Sequence, residues 1–148
     1  MRIAFAADEK THLTDALVDA LRLRGHEVDV IGPPGGEPGS WADVAREVGE
    51  RVVTRRADQG VVCCWTGTGV SIAANKVPGV RAALCFDAET ARGARRWNDA
   101  NVLCLSLRAT SETVGREILD AWLSTEPDGS EAENIEKVRM MDVARGPL

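Results

Sequence analysis

No apolar run in the 148 residues approaches membrane-spanning length, so no membrane partner is expected. A basic surplus is also missing. Against 23 acidic residues there are 18 basic ones, giving a formal charge of −5 and a pI near 5.1. Bulk electrostatics therefore disfavour a nucleic-acid partner, and solvated helix faces account for the short clusters Arg55-Arg56 and Arg92/Arg95-Arg96. Cysteine pairs at metal-ligand spacing are lacking. Cys63, Cys64, Cys85 and Cys104 include no Cys-x-x-Cys, and the two histidines, His12 and His26, lie far from them in sequence. This argues against a zinc site or a disulfide framework. The apolar stretch after Met1-Arg2 is too short for a signal-peptide core. The expectation is a cytoplasmic chain with reduced thiols and no bound metal.

What is present is enough for one globular domain over residues 1–148, with an ordinary hydrophobic fraction of 44%. Short apolar strands alternate with amphipathic helices. Residues 2–7 read as a first strand ending at Asp8, and Leu13, Ala16, Leu17, Ala20 and Leu21 mark one helical face closed by Gly25. A second strand spans 27–31, followed by a Pro/Gly-rich loop over 32–39. Ser40 caps the next helix, whose buried face is expected to be Trp41, Val44, Ala45, Val48 and Val52. Strands at 61–63, 80–85 and 101–105 follow, interleaved with helices after Gly69, after Asp87 and over 111–124. A tail from 130 carries a thin apolar stripe of Ile135, Val138 and Met141. Such alternation predicts a three-layer α/β fold, a doubly wound parallel five-stranded sheet of flavodoxin/Rossmann-like type, with a C-terminal tail helix. The expected strand order is 2-1-3-4-5.

The chain is organised around residues 60–85. A buried strand ends at Cys64, the loop Thr66-Gly67-Thr68-Gly69 follows, and Val70–Ala74 reads as helix. A strand, a loop of exposed N–H groups and a helix N-terminus outline an anion site. The same glycines also suit a plain β-to-α connection with Cys64 as a small core residue. Topology separates these readings, because ligands of doubly wound sheets bind outside the carboxyl ends of the strands at a switch point. That point would bring Asp8 and Cys64, each ending a strand, to one crevice.

The stretch Cys-Trp-Thr-Gly-Thr-Gly-Val-Ser-Ile-Ala-Ala-Asn-Lys-Val-Pro-Gly-Val-Arg-Ala-Ala-Leu-Cys at 64–85 resembles the signature of the ribose-5-phosphate isomerase B / galactose-6-phosphate isomerase subunit family. Trp97–Leu103, the segment 83–92 and Asp120–Leu123 agree with it, and the similarity runs to about residue 125. The resemblance implies a doubly wound fold and a homodimer, or a dimer of such dimers, with active sites at the subunit interface. It implies Cys64 as the base that moves a proton between C1 and C2, with Thr66, Asp8 and Asn98 among the catalytic groups. Gly67, Thr68 and Gly69 would complete the anion hole for an enediolate, and Arg108 would contact phosphate. No cofactor is needed. Proton abstraction beside a carbonyl requires a base poised near working pH and preorganised donors on the developing oxyanion, and helix N-termini lower thiol pKa values.

The departures matter equally. The family places histidine after the first-strand aspartate, where this chain has Glu9, and a ring-opening histidine where it has Trp97. The glycine after the motif cysteine is Trp65, and the C-terminal phosphate-binding arginines have no counterparts in Ser130–Ile135. Trp65, Trp97 and Trp41 are candidate walls of a smaller pocket. The expected function is thus an aldose–ketose isomerase acting on a small sugar or sugar phosphate. The alternatives are an isomerase of unphosphorylated sugars and a non-catalytic sugar- or nucleotide-binding protein on the same scaffold.

Overall fold

The computed structural model describes residues 1–143; the remainder of the predicted 130–148 tail lies outside the described residues. The elements follow as β1 (Arg2–Ala7), α1 (His12–Leu23), β2 (Glu27–Ile31), α2 (Trp41–Val53), β3 (Gln59–Cys64), α3 (Thr68–Ala74), β4 (Ala82–Leu84), α4 (Ala88–Asn98), β5 (Val102–Ser106), α5 (Glu112–Leu123) and α6 (Ala132–Val143). A single-turn 3₁₀ segment, Pro33–Gly35, interrupts the loop before α2. Side-chain caps start four helices. The Oγ atoms of Thr11, Ser40 and Ser111 and the carboxylate of Asp87 each accept the N–H three residues on.

All five strands are parallel, and alternate residues separate the two layers. Ile3, Phe5, Val61, Cys63, Leu103 and Leu105 pack against α1, α4 and α5. Ala4, Ala6, Val62, Cys64, Val102 and Cys104 pack against α2 and α3. The second layer is close: a Cβ on Gly60 would come within 2.4 Å of Val48 Cγ1. In the first layer Trp122 is buried, its indole N–H donating to Gln59 Oε1 at 2.8 Å and its ring lying 5.6 Å from the Arg95 guanidinium.

The sheet order is β2-β1-β3-β5-β4, which corrects the expected 2-1-3-4-5. The two C-terminal strands exchange places for a reason of chain content. Every residue of β5 is buried, which suits the sheet interior. The apolar stretch at 80–85 yields only three strand residues, all half-buried, and these suit an edge. The outer side of that edge is closed by a side chain. Asn75 Nδ2 donates to the Ala82 carbonyl at 2.9 Å, and the Ala82 N–H donates to Asn75 Oδ1 at 2.8 Å. The amide thereby occupies the place of a neighbouring strand and blocks further pairing.

One helical face also departs from expectation. Trp41 is 45% exposed and is no part of the buried face of α2, because it sits in the first turn, beyond the end of the sheet. α6 buries none of its residues. Its Ile135 is half-covered and its Val138 and Met141 are exposed, while the Asp142 carboxylate ties its end to the Gly79 N–H at 2.8 Å. No helix among the described residues is long and apolar enough to cross a membrane.

Candidate functional site

β1 leads into α1 on one face of the sheet and β3 into α3 on the other, so a crevice opens beyond their carboxyl ends. Ala7 pairs in register with Cys63, which makes Asp8 and Cys64 neighbours at the next position. The strand pleat divides the two adjacent cysteines. Cys63 points into the α1/α4/α5 layer and is fully buried, whereas Cys64, 5% exposed, faces the α2/α3 side and lines a cavity of about 380 Å³. The other groups around that cavity are Asp8, Trp41, Trp65, Thr66, Thr68 and Gly69.

The loop after Cys64 is built by backbone constraint. Gly67 adopts φ +77°, and a Cβ there would lie 2.6 Å from Leu84 Cδ1 and 3.0 Å from the Leu105 carbonyl carbon. Only glycine turns the chain so close to β5. The Thr66 and Thr68 hydroxyls are 2.8 Å apart, and α3 begins at Thr68. The first-turn N–H groups of a helix lack intrahelical acceptors. β5 clamps the loop from the other side: the Ser106 hydroxyl and the Arg108 N–H both donate to the Trp65 carbonyl at 3.0 Å, and the Leu107 N–H donates to the Cys64 carbonyl at 2.9 Å. Ser106 was not foreseen from sequence, where it is only the polar last residue of a strand. Nothing in the pattern marks a hydroxyl that spans two loops.

The thiols differ sharply in availability. Burial pushes the Cys63 thiol far above its usual value, with the neighbouring Cys64 and Asp8 adding to the effect. Burial raises Cys104 in the same way, and it takes Cys85 to about 12 with a smaller contribution from Asp87. These three stay protonated. Among the described residues no group of three or more His, Cys, Asp or Glu side chains is placed to hold a metal ion.

Within one chain the sequence-predicted groups fall into two clusters. Asp8, Cys64, Trp65, Thr66, Thr68 and Gly69 converge with Trp41, and Gly67 shapes their loop. Arg108 is exposed and meets this loop through its backbone, and it is not among the groups lining the cavity. Asn98 and Trp97, expected at the same site, lie elsewhere. They line a second cavity of about 390 Å³ with Arg81, Glu131, Asn134 and Ile135, because the end of α4 abuts α6 and β4 rather than the crevice. Trp97 is therefore no wall of the thiol cavity within this subunit.

Residues 3–141 match the sequence profile of the family described as Ribose/Galactose Isomerase. The D-erythrulose-4-phosphate isomerase of Pectobacterium atrosepticum is 36% identical over 141 residues, covering 93% of each chain. The ribose-5-phosphate isomerase B of Escherichia coli is 33% identical, over 97% of this chain and 98% of its own. The structure of Clostridium thermocellum ribose-5-phosphate isomerase B superimposes with a TM-score of 0.93 at 37% identity, covering 99% of this chain and all of the other.

Proposed function

Since the chain belongs to the ribose/galactose isomerase family, we propose that it interconverts the aldose and ketose forms of a short sugar phosphate, a four-carbon one before a five-carbon one, with Cys64 as the base. The observation that carries this reading is the cavity itself. Cys64 is the one thiol of the four that lines it, together with the Asp8 carboxylate and the Thr66–Gly69 loop. The name of the Pectobacterium relative supports the four-carbon choice.

In this reading the Cys64 thiolate takes the proton from C2 of the aldose. The C–H bond breaks, an S–H bond forms, and the electron pair moves through the new C1–C2 double bond onto the carbonyl oxygen. Donors preorganised on that oxyanion stabilise the enediolate. They are the N–H groups of the loop and first turn of α3, backed by the Thr66–Thr68 hydroxyl pair, which also passes the hydroxyl proton from O2 to O1. Asp8 orients the substrate hydroxyls. Return of the proton from sulfur to C1 completes the ketose and regenerates the thiolate, so nothing is consumed. In deuterium oxide, tetrose phosphate is expected to give ketose carrying deuterium at C1, and the reverse reaction to label C2 of the aldose. Binding of the sugar phosphate without label would favour a binding protein on this scaffold; label only with the free sugar would favour an isomerase of unphosphorylated substrates.

The two cavities support a homodimer in which each site is shared. Asn98 and Glu131 border one cavity and Cys64 another, so the second cluster reaches a thiol only in a partner copy. On α6 Val138 and Met141 stand exposed beside half-covered Ile135, a stripe that needs a surface to cover it. Light scattering at micromolar concentration is expected to give twice the monomer mass. Refolding an equal mixture of Cys64→Ala and Asn98→Ala chains is expected to restore about a quarter of wild-type activity, because half the dimers then hold one intact site of two. A monomeric mass, or activity no higher than that of the separate variants, would refute the shared site.

A further inference from the structure

We infer that Trp41 and Trp65 form a size filter on the Cys64 cavity, one that admits an extended four-carbon sugar phosphate and turns away a five-carbon sugar in its ring form. The inference rests on the isomerase reading above and names which groups select its substrate. Trp122 is buried in the core, all but 1% of it covered. Trp41 and Trp65 instead stand 45% and 58% exposed, and both border the cavity that Cys64 lines. Large apolar side chains left open around a concave site are the usual lining of ligand pockets.

Both indoles are held by the same backbone that builds the site. Trp65 follows Cys64 directly, and its carbonyl is pinned by the Ser106 hydroxyl and the Arg108 N–H, so its Cα cannot retreat without moving the thiol. Trp41 is the first residue of α2, and its ring lies against Gly69 in the first turn of α3. A Cβ on Gly69 would come within 2.9 Å of Trp41 Cε3 and 3.1 Å of Cδ2. Glycine at 69 is therefore what lets the indole close onto the loop. The polar groups Asp8, Thr66 and Thr68 line the same cavity as the two indoles. An open chain can turn its C–H edges to the indoles and its hydroxyls to the polar groups. A furanose is broader than an extended tetrose and holds its hydroxyls in fixed directions around the ring, so placing it against the indoles would strip at least one hydroxyl of partners.

Trp65→Gly removes one wall and Trp65→Phe keeps a shorter one. Two measurements are made on the intact protein. The first is the ratio of kcat/KM for ribose 5-phosphate to that for tetrose 4-phosphate. The second is the affinity, by calorimetry, for two unreactive analogues: erythritol 4-phosphate for the open four-carbon substrate and 1,4-anhydroribitol 5-phosphate, whose ring cannot open, for the five-carbon one. Trp65→Gly is expected to shift both ratios toward the longer compound by about tenfold or more, the size of effect that pocket volume commonly gives. Trp65→Phe is expected to shift them less. If Trp65→Gly does not fold, Trp41→Leu is read in the same way. Ratios unchanged within about twofold in a variant that melts like wild type would overturn the filter. If neither sugar is isomerised by the wild type, the isomerase reading fails, while the calorimetric ratio still decides the filter.

Discussion

Cys64→Ala is expected to lower isomerisation by three orders of magnitude or more, while Cys63→Ala leaves turnover within about twofold and costs mainly stability. A positioned base contributes ~10²–10⁴-fold, and loss of the substrate's alignment against it adds to that. No neighbouring thiol can substitute. Cys63 lies one residue away, but the pleat turns it into the opposite layer, where it is fully buried. Burial also holds its thiol protonated. Its replacement opens a small void among packed side chains and should cost about 1–3 kcal/mol, read as a lower urea midpoint with unchanged slope. The two variants are thus a matched pair: the same chemical deletion at adjacent positions, one read in rate and the other in stability. Cys64→Ala retaining more than about a tenth of wild-type turnover would end the cysteine-base mechanism, since a positioned base is worth far more than that.

How far these conclusions were legible in the sequence can be seen at particular residues. The strand ending at Cys64, the glycine loop and the first strand ending at Asp8 are local signals, and the β–α alternation that joins them into one crevice is a rule of connection handedness. The order of β4 and β5 was not legible in the same way. Both segments read as short apolar strands, and what places β4 at the edge is the Asn75 amide closing on Ala82 across a turn. An asparagine seven residues upstream carries no periodic mark of that role. Trp41 misled for a related reason. Its spacing fits the apolar face of α2, but a first-turn residue lies past the end of the sheet and meets the Gly69 loop instead. The largest gap is Asn98. The resemblance assigns it to the reacting end, and one chain places it in a different cavity, because a residue list carries no distances between the elements that bear its members.

Ribose 5-phosphate is expected to be a poor substrate, held about a hundredfold or more less tightly than with two phosphate-binding arginines in place, and turned over with a lower kcat/KM than tetrose 4-phosphate. A phosphate dianion is held by charge-assisted contacts, of which arginine forks give the strongest. The resemblance places such arginines in the segment that here reads Ser130–Ile135, and the structure fills its cavity-facing positions with Glu131, Asn134 and Ile135. Two contacts to a charged group lost at about 1.5–3 kcal/mol each correspond to a hundredfold or more in affinity. Arg96 is exposed and bears on the Asp128 carboxylate, while the other nearby cations are engaged. Arg92 pairs with Glu89 and Arg139 with Glu136, while Arg95 is buried and donates to the Ala100 and Thr125 carbonyls. Arg108 remains exposed beside the crevice loop and is the one family-matched arginine able to meet a phosphate there. This loss of cationic contacts weakens every phosphorylated substrate alike. The second loss does not. Ribose 5-phosphate is mostly cyclic and must be opened before a proton can be taken beside its carbonyl, and the histidine that the resemblance credits with opening is Trp97 here. An indole N–H donates and does not exchange protons near neutrality. A tetrose phosphate, whose phosphorylated terminal oxygen cannot close a ring, escapes that requirement, and so the discrimination falls on the five-carbon sugar. Steady-state assays decide the matter: a KM near or below about one millimolar with turnover above about one per second on ribose 5-phosphate, both ordinary for an enzyme on its own substrate, would show that another group opens the ring and that the phosphate site has been rebuilt.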